Sequence, residues 1–336
     1  MSHEIMENDN MFSVLVTPWH GLGIVLDSPP TIEEGLQKAN LNWSVKLTPL
    51  FYKAPKIDFF GEILHYDIEV SDRAVIREDT NEILGTVGSH YQPLQNKDAF
   101  SIFEPLVNDG SLSLETAGSL KNGRRVWILG KINIDSADIG KGDEVKPYVL
   151  LSNSHDGTLA VRFGFTPIRV VCNNTLSAAE SGNTSQLIRL LHTSNIQSNL
   201  SALRDLLNLS KASFTSSIEQ YKFLASKDIN QFDLERYVKL VFDPDFERTM
   251  QRAQEQNEAI EMNLSRTQES ILSIFESGLG SKTATSKTWW GAYNSINEWL
   301  MYYKGRNADN RLNSVWFGDG YNFNQRALNT AMKLAA

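Results

Sequence analysis

The sequence holds a single cysteine, Cys172, in 336 residues. An internal disulfide is therefore impossible, and no Cys pair exists to found a zinc finger or ribbon, so the reducing cytoplasm is the expected compartment. Long apolar runs are missing too. Nowhere do ~18 apolar residues follow one another, so no membrane partner is expected. The first residues carry Glu4, Glu7 and Asp9 where a secretory signal places basic residues and an apolar stretch, so secretion is not expected either. The six histidines, His3, His20, His65, His90, His155 and His192, are scattered, with no helical i, i+4 pair of the kind that gathers a metal. A phosphate loop with Gly-Lys-Ser/Thr and a dinucleotide fingerprint are both absent, so neither ATP nor NAD is expected and no cofactor is implied.

What is present is enough to fold. Hydrophobic residues make up 41% and charged residues 21%, which is too apolar for a disordered chain and long enough for two cores. Charge is uneven. Residues 1–111 hold 7 Lys and Arg against 17 Asp and Glu, residues 112–193 hold 9 against 7, and residues 194–336 hold 16 against 16. Only the middle section is net basic, and a nucleic-acid site needs no more than such a local stripe despite the net charge of -8.

Thr31 followed by Glu34 has the spacing of a capping box and predicts a short helix over residues 31–40. Strand character follows over 43–52, 74–77 and 83–87, then a helix over 96–107. The clearest β signal is 112–120 and 124–134 flanking Lys121-Asn122-Gly123, a hairpin signature. Strands over 147–152 and 158–171, joined through Asp156-Gly157, extend this to a four-stranded antiparallel meander. Residues 172–180 read as a helix. From about residue 195 the period changes: Leu200, Leu203, Leu207, Phe214, Tyr221 and Leu224 form one helical stripe, and residues from Met250 to Ile274 a second. A shorter helix over 232–241 lies between them, and a last helical pair covers 289–303 and 321–334. The fold class is α+β, with a mixed domain over 1–194 built on a central antiparallel sheet and a helical domain over 195–336.

Four segments carry a family resemblance: Pro18-Trp19-His20-Gly21-Leu22-Gly23; Arg169-Val170-Val171-Cys172-Asn173-Asn174-Thr175-Leu176; Thr288-Trp289-Trp290-Gly291-Ala292-Tyr293-Asn294; and Trp316-Phe317-Gly318-Asp319-Gly320. The chain resembles a phage- and plasmid-encoded family of unknown function that includes YubP-type proteins, over residues 15 to 332. Trp290 departs from that pattern, which has a single Trp before the Gly. The resemblance implies a mobile-element protein acting in a bacterial host and supplies no reaction. At fold level alone, the strand order is also similar to the β-β-β-α core of the single-strand annealing recombinases RecT, Erf and Redβ.

Alternation along 124–134 puts Val126, Ile128, Ile132 and Ile134 on one face and Arg125, Trp127 and Lys131 on the other. Aromatic rings that stack bases at roughly 1–3 kcal/mol each, interleaved with cations for phosphates, suit single-stranded DNA. Arg162 is expected on the same sheet face, and Lys121 and Arg124 beside it. The same pattern also fits an ordinary half-exposed sheet face. Asn173, Asn174 and Thr175 would open the helix after the last strand, either capping it or, with Arg169, holding a phosphate. Cys172, set among Val170, Val171 and Leu176, reads as a buried small hydrophobe and not as a nucleophile served by His155 or His192. The crowd of Trp289, Trp290, Tyr293, Trp299, Tyr302 and Tyr303 reads as core or subunit interface.

The sequence thus leads to a non-enzymatic DNA-binding protein that holds single-stranded DNA on its central sheet, assists annealing or recombination, and self-associates through its helical half. The alternative is an interaction protein that binds a host protein, with the basic strand as scaffold.

Overall fold

The computed structural model describes residues 11–15, 23–140, 142–169, 174–175, 187–192, 203–256, 262–304, 314–315 and 319–336. The segment holding Trp19 and His20, residues 170–173 with Cys172 and Asn173, and the segment Trp316-Phe317-Gly318 lie outside the described residues.

The chain is α+β, as the sequence predicts. Its main sheet contains β1 (Met11–Val14), β2 (Ile24–Leu26), β6 (Leu112–Leu120), β7 (Arg125–Ile132), β8 (Ala137–Asp138), β9 (Glu144–Ser154), β10 (Val161–Arg169), β11 (Asn174–Thr175) and β12 (Leu187–Leu190). The strand order is β11-β10-β9-β7-β6-β1-β2, with β12 also on β10 and β8 on β9. All pairs are antiparallel except β1 with β2. The predicted meander is its centre. The hairpin Lys121-Asn122-Gly123 turns through positive φ at all three residues, 56°, 58° and 87°, a conformation that Asn and Gly accept most readily.

A second sheet joins β3 (Val45–Ile57), β4 (Ile63–Arg77) and β5 (Ile83–Val87) in sequence order. Both long strands run well past the residues predicted for them. Pro55 falls in what the sequence reads as a turn, and Pro49 within a strand, and β3 takes both because it is an edge strand, where a missing N–H leaves no ladder bond unmade. Beyond the reach of β5, the β3–β4 hairpin stands as a two-stranded arm.

The helices are α1 (Ile32–Lys38), α2 (Asn96–Ser101), α3 (Glu104–Asn108), α4 (Leu203–Ala225), α5 (Gln231–Phe242), α6 (Phe246–Glu255), α7 (Arg266–Ser277), α8 (Trp289–Glu298), which runs into a π-helical turn over Trp299–Tyr303, and α9 (Asp319–Ala335). Thr31 and Glu34 form the predicted capping box. The single helix predicted over 96–107 is two, with Pro105 in the first turn of the second. The stripe from Met250 to Ile274 is likewise split between α6 and α7. The helix predicted to open at Asn173 is corrected in part: Asn174 and Thr175 pair as a strand with Ile168 and Arg169.

The main sheet is covered on both faces. Val126, Ile128 and Ile132 of β7, with Val149 and Leu151 of β9, enter a cluster with Leu36, Trp43, Phe100 and Phe103 on the side of α1 to α3. Trp127 and Leu129, with Tyr148 and Leu150, enter a second cluster with Phe214, Tyr221, Trp290 and Tyr293 of the C-terminal helices. A bulge between Leu114 and Thr116 lets Leu112, Leu114 and Ala117 share one face of β6. The apolar surface of the helical half that was expected to drive self-association, Phe214, Tyr221 and Leu224 among it, is thus taken up in part by the sheet. This second cluster also runs across the boundary drawn near residue 194.

Candidate functional site

The register settles which predicted residues share a face. Trp127 on β7 stands opposite Ser152 on β9, Ser152 opposite Arg162 on β10, and Arg162 opposite Arg189 on β12. Arg125 and Lys131 flank Trp127 on the same face, two and four residues away along the strand. The predicted common face exists, but its centre is closed. Trp127 is 1% exposed and packs under the C-terminal helices. Its partner on β6 is Gly118, where an added Cβ would lie 2.6 Å from the indole, so the space is already filled by the ring. The expectation of an open stacking platform at Trp127 is therefore corrected. A half-exposed antiparallel sheet alternates apolar with polar residues, whereas this one has helices on both sides, and the cations Arg125 and Lys131 sit where β7 emerges at either end. About 20 Å of strand separates those ends.

The two ends differ. Lys131 is half-buried near Glu115, whose carboxyl is pushed up by burial while Lys131, Lys146 and the Tyr148 hydroxyl pull it down less strongly. The other end gathers four of the predicted cations. Lys121 and Arg124 sit at the hairpin turn, Arg124 exposed, and Arg125 follows on β7. Arg162 lies two strands over, ~10 Å away. Arg169 and Asn174 pair in the sheet nearer the Lys131 end, opposite Val145 and each other, and are not brought into this group.

At the basic end the β9–β10 turn organises a polar network. Arg125 Nη2 donates to Thr158 Oγ1 at 3.2 Å, and Thr158 and Ser154 both donate hydroxyl bonds to Asp156 Oδ1 at 2.5 Å. The Thr158 backbone N–H adds a third bond at 3.0 Å. Burial pushes the Asp156 carboxyl up, but these bonds and the charge of Arg125 outweigh it, and the group ends below the usual carboxylate range. Asp156 therefore stays ionised and tethers the turn.

Behind the turn lies His155, fully buried. Its Nε2 lies 2.9 Å from Asn96 Oδ1, and its ring meets Trp43 at 5.3 Å. Arg77 covers the other part of that indole, 4.4 Å from the ring centre, and is held by Asp79 at 2.8 and 3.0 Å. Burial first, and the neighbouring His192 next, push His155 down to about 3, so its imidazole is neutral at physiological pH. A neutral, fully enclosed ring whose Nε2 bonds Asn96 is a core histidine.

Beside the turn a cleft of about 460 Å³ opens between residues 88–91, 157–160 and 191–192, with Ser71 and Asp72 on its rim. Tyr91 and His192 stack in its wall at 4.6 Å. The Tyr91 hydroxyl donates to the Ser154 carbonyl at 2.8 Å, and His192 Nδ1 donates to the Gln92 carbonyl at 3.1 Å. Burial lowers the His192 pKa despite the carbonyls of Gln92 and Leu159, which favour its charged form. Thr158 belongs both to this wall and to the Arg125 network, so Arg125 reaches the cleft through that residue. Among the described residues no group of three or more His, Cys, Asp or Glu side chains is placed to hold a metal ion, and no helix is long and apolar enough to cross a membrane. Sequence reasoning named Lys121, Arg124, Arg125 and Arg162 but missed Tyr91, because its position beside the β9–β10 turn comes from pairing between elements some 60 residues apart.

The chain belongs to the family described as Domain of unknown function (DUF932), whose model matches residues 83–316, more than two thirds of its length. No curated protein and no solved structure matches it. The matched residues contain the meander, the basic end and helices α2 to α8. The β3–β4 arm precedes them.

Proposed function

We propose that this protein is a non-enzymatic, phage- or plasmid-encoded single-stranded DNA-binding protein that assists annealing or recombination of a mobile element. The observation that supports this reading is the placement of Lys121, Arg124, Arg125 and Arg162 at one end of the sheet, where Arg125 reaches, through Thr158, a cleft walled by Tyr91 and His192. Phosphates pair with the cations, and the cleft beside them has the volume for one nucleobase. The contact surface in this reading is the end of the sheet, not its face. The resemblance to YubP-type proteins read in the sequence supplies the mobile-element setting, and the likeness of strand order to RecT, Erf and Redβ read there is an analogy at fold level alone.

A gel-shift titration against single- and double-stranded oligonucleotides at low and physiological salt tests it. Binding that prefers single strands is expected, and Arg124→Ala should lower the salt slope by about one phosphate contact. A wild-type protein that shifts neither substrate at low salt overturns the reading. The alternative, an interaction protein that binds a host protein with the basic strand as scaffold, is favoured by one observation: Trp127, the aromatic centre of that strand, is core.

A further inference from the structure

The β3–β4 arm carries the largest exposed apolar surface among the described residues. At its tip Asp58 builds a tight turn: its carboxylate accepts the backbone N–H groups of Phe60 and Glu62 at 2.9 and 2.8 Å, and Gly61 takes a φ of 83°. This ordered turn holds Phe59 and Phe60 out at 97% and 86% exposure, their rings edge to face at 5.7 Å. Below the tip the register aligns Tyr52 with Ile68, Ala54 with Tyr66 and Lys56 with Leu64. Successive residues of a strand point to opposite faces, so these share one face, with the Lys56 ammonium lying over the Tyr66 ring at 5.6 Å. Together these side chains and those flanking the tip present on the order of 1,000 Å² of apolar surface. A stable protein interface needs ~800 Å² from each partner.

The charge of the arm narrows what can cover it. Residues 50–70 hold Lys53 and Lys56 against Asp58, Glu62, Asp67 and Glu69. This net negative charge repels phosphate, whether of nucleic acid or of anionic lipid. An apolar protein surface is left.

The same chain carries one. A cleft of about 500 Å³ opens between α1 and α2, with Ile32, Leu36, Leu41 and Trp43 on its floor and Glu33, Gln37, Lys97 and Glu104 among the polar residues on its rim. A cavity of ~150 Å³ accommodates one benzene ring, so this volume takes two phenyl rings with room for the backbone that bears them. The protein's own tip cannot enter. Trp43 and Ser44 line the cleft and immediately precede β3, and a strand of that length carries the tip ~40 Å away.

We propose that the Phe59–Phe60 tip of one copy docks in the α1–α2 cleft of the next. Tip and cleft are different surfaces of the same chain, so the contact is head-to-tail. It repeats until a ring closes, or it continues as a filament. This inference does not rest on nucleic-acid binding.

Sedimentation velocity of three proteins tests it. Wild type should assemble with rising concentration. Phe59→Ser/Phe60→Ser changes only exposed side chains, and Gln37→Trp fills the cleft from an exposed position, so both should keep the wild-type unfolding midpoint. Each alone should be monomeric, with association weakened at least ~30-fold, as for loss of an interface hot spot. Mixed, the tip variant retains a cleft and the cleft variant retains a tip, so the mixture should form a dimer and stop there. Wild type that is monomeric at its highest soluble concentration, either variant assembling as wild type does, or a mixture that stays monomeric overturns the proposal. So does a monomeric wild type that instead binds phosphatidylcholine vesicles through the tip.

Discussion

Trp290 donates its indole N–H to Asp143 across 147 positions of the chain, Nε1 to Oδ2 at 2.9 Å. The same oxygen accepts the Thr285 hydroxyl at 2.6 Å. All three side chains are buried, and the carboxylate ties the β8–β9 turn to the start of α8. Trp290, the residue that departs from the family pattern recognised in the sequence, is anchored here and packs on Tyr221 at 4.7 Å.

Replacing Asp143 with Ala leaves two buried donors without this acceptor. Hydrogen bonds to a charged group are worth about 1.5–3 kcal/mol each, so a stability loss of about 3 kcal/mol or more is expected in urea unfolding. Asp143→Asn keeps one carbonyl acceptor and should cost less. An Ala variant within ~1 kcal/mol of wild type would show that the tie contributes little.

Trp127→Ala should behave as a core mutation and not as a binding mutation. A loss of about 3–5 kcal/mol is expected from the cavity it leaves. Gly118→Ala pushes a Cβ against the same indole and should cost about 1–3 kcal/mol through overpacking. Thermal unfolding of both variants checks this. A Trp127→Ala protein of wild-type stability would place the ring on the surface.

His155 gives stability a pH dependence of known sign. The unfolded imidazole takes a proton near 6.5, while burial holds the folded one down to about 3. Below 6.5 the unfolded state binds the extra proton, so the contribution is complete above that pH and is lost as pH falls toward 3. His192, also lowered, acts in the same direction. Urea midpoints between about pH 7.5 and pH 5 should fall for wild type, and His155→Gln should remove up to ~1.4 kcal/mol per pH unit of that slope. An unchanged slope in the variant would mean that the imidazole titrates freely.

Gly123 closes the β6–β7 hairpin with φ at 87°, and a Cβ there would meet the Trp43 ring at 2.7 Å. Gly123→Ala therefore combines a strained backbone with a clash, and a loss of about 1–3 kcal/mol is expected in chemical unfolding. A neutral result would require Trp43 to move, which the near-ultraviolet signal of that indole would report.

How much of this was legible in the sequence follows from the range of the interactions concerned. The capping box at Thr31 and Glu34 and the hairpin at Lys121-Asn122-Gly123 are fixed by residues three or four apart, and both stand as read. The faces of β7 were assigned correctly, but not their fate: alternation says that Trp127 and Ile128 point opposite ways, whereas the layers that cover each face come from α1 to α3 and from α4 to α8. Asn174 and Thr175 carry the chemistry of a helix start, yet the free edge of β10 takes them as a strand. The outer part of the arm was missed because Pro55, Asp58 and Gly61, beyond the strand read over 43–52, look like turn signals. Only the knowledge that β3 has an open edge makes prolines in a strand acceptable there. The basic end was legible as a set of cations, while its cleft depends on Tyr91 and His192 arriving from distant segments.

The sheet with two covered faces also sets a timetable for synthesis. α1 to α3 are made before β7, so one face is covered as soon as the meander forms. The other face, with Trp127, Leu129, Tyr148 and Leu150, waits for helices that begin at Leu203 and include Trp289. At ~5–20 residues per second, the stretch of about 120 residues between the end of β10 and the start of α8 takes on the order of ten seconds to emerge. Until that stretch is complete the nascent chain carries an apolar sheet face whose cover, begun by α4, is only partly made.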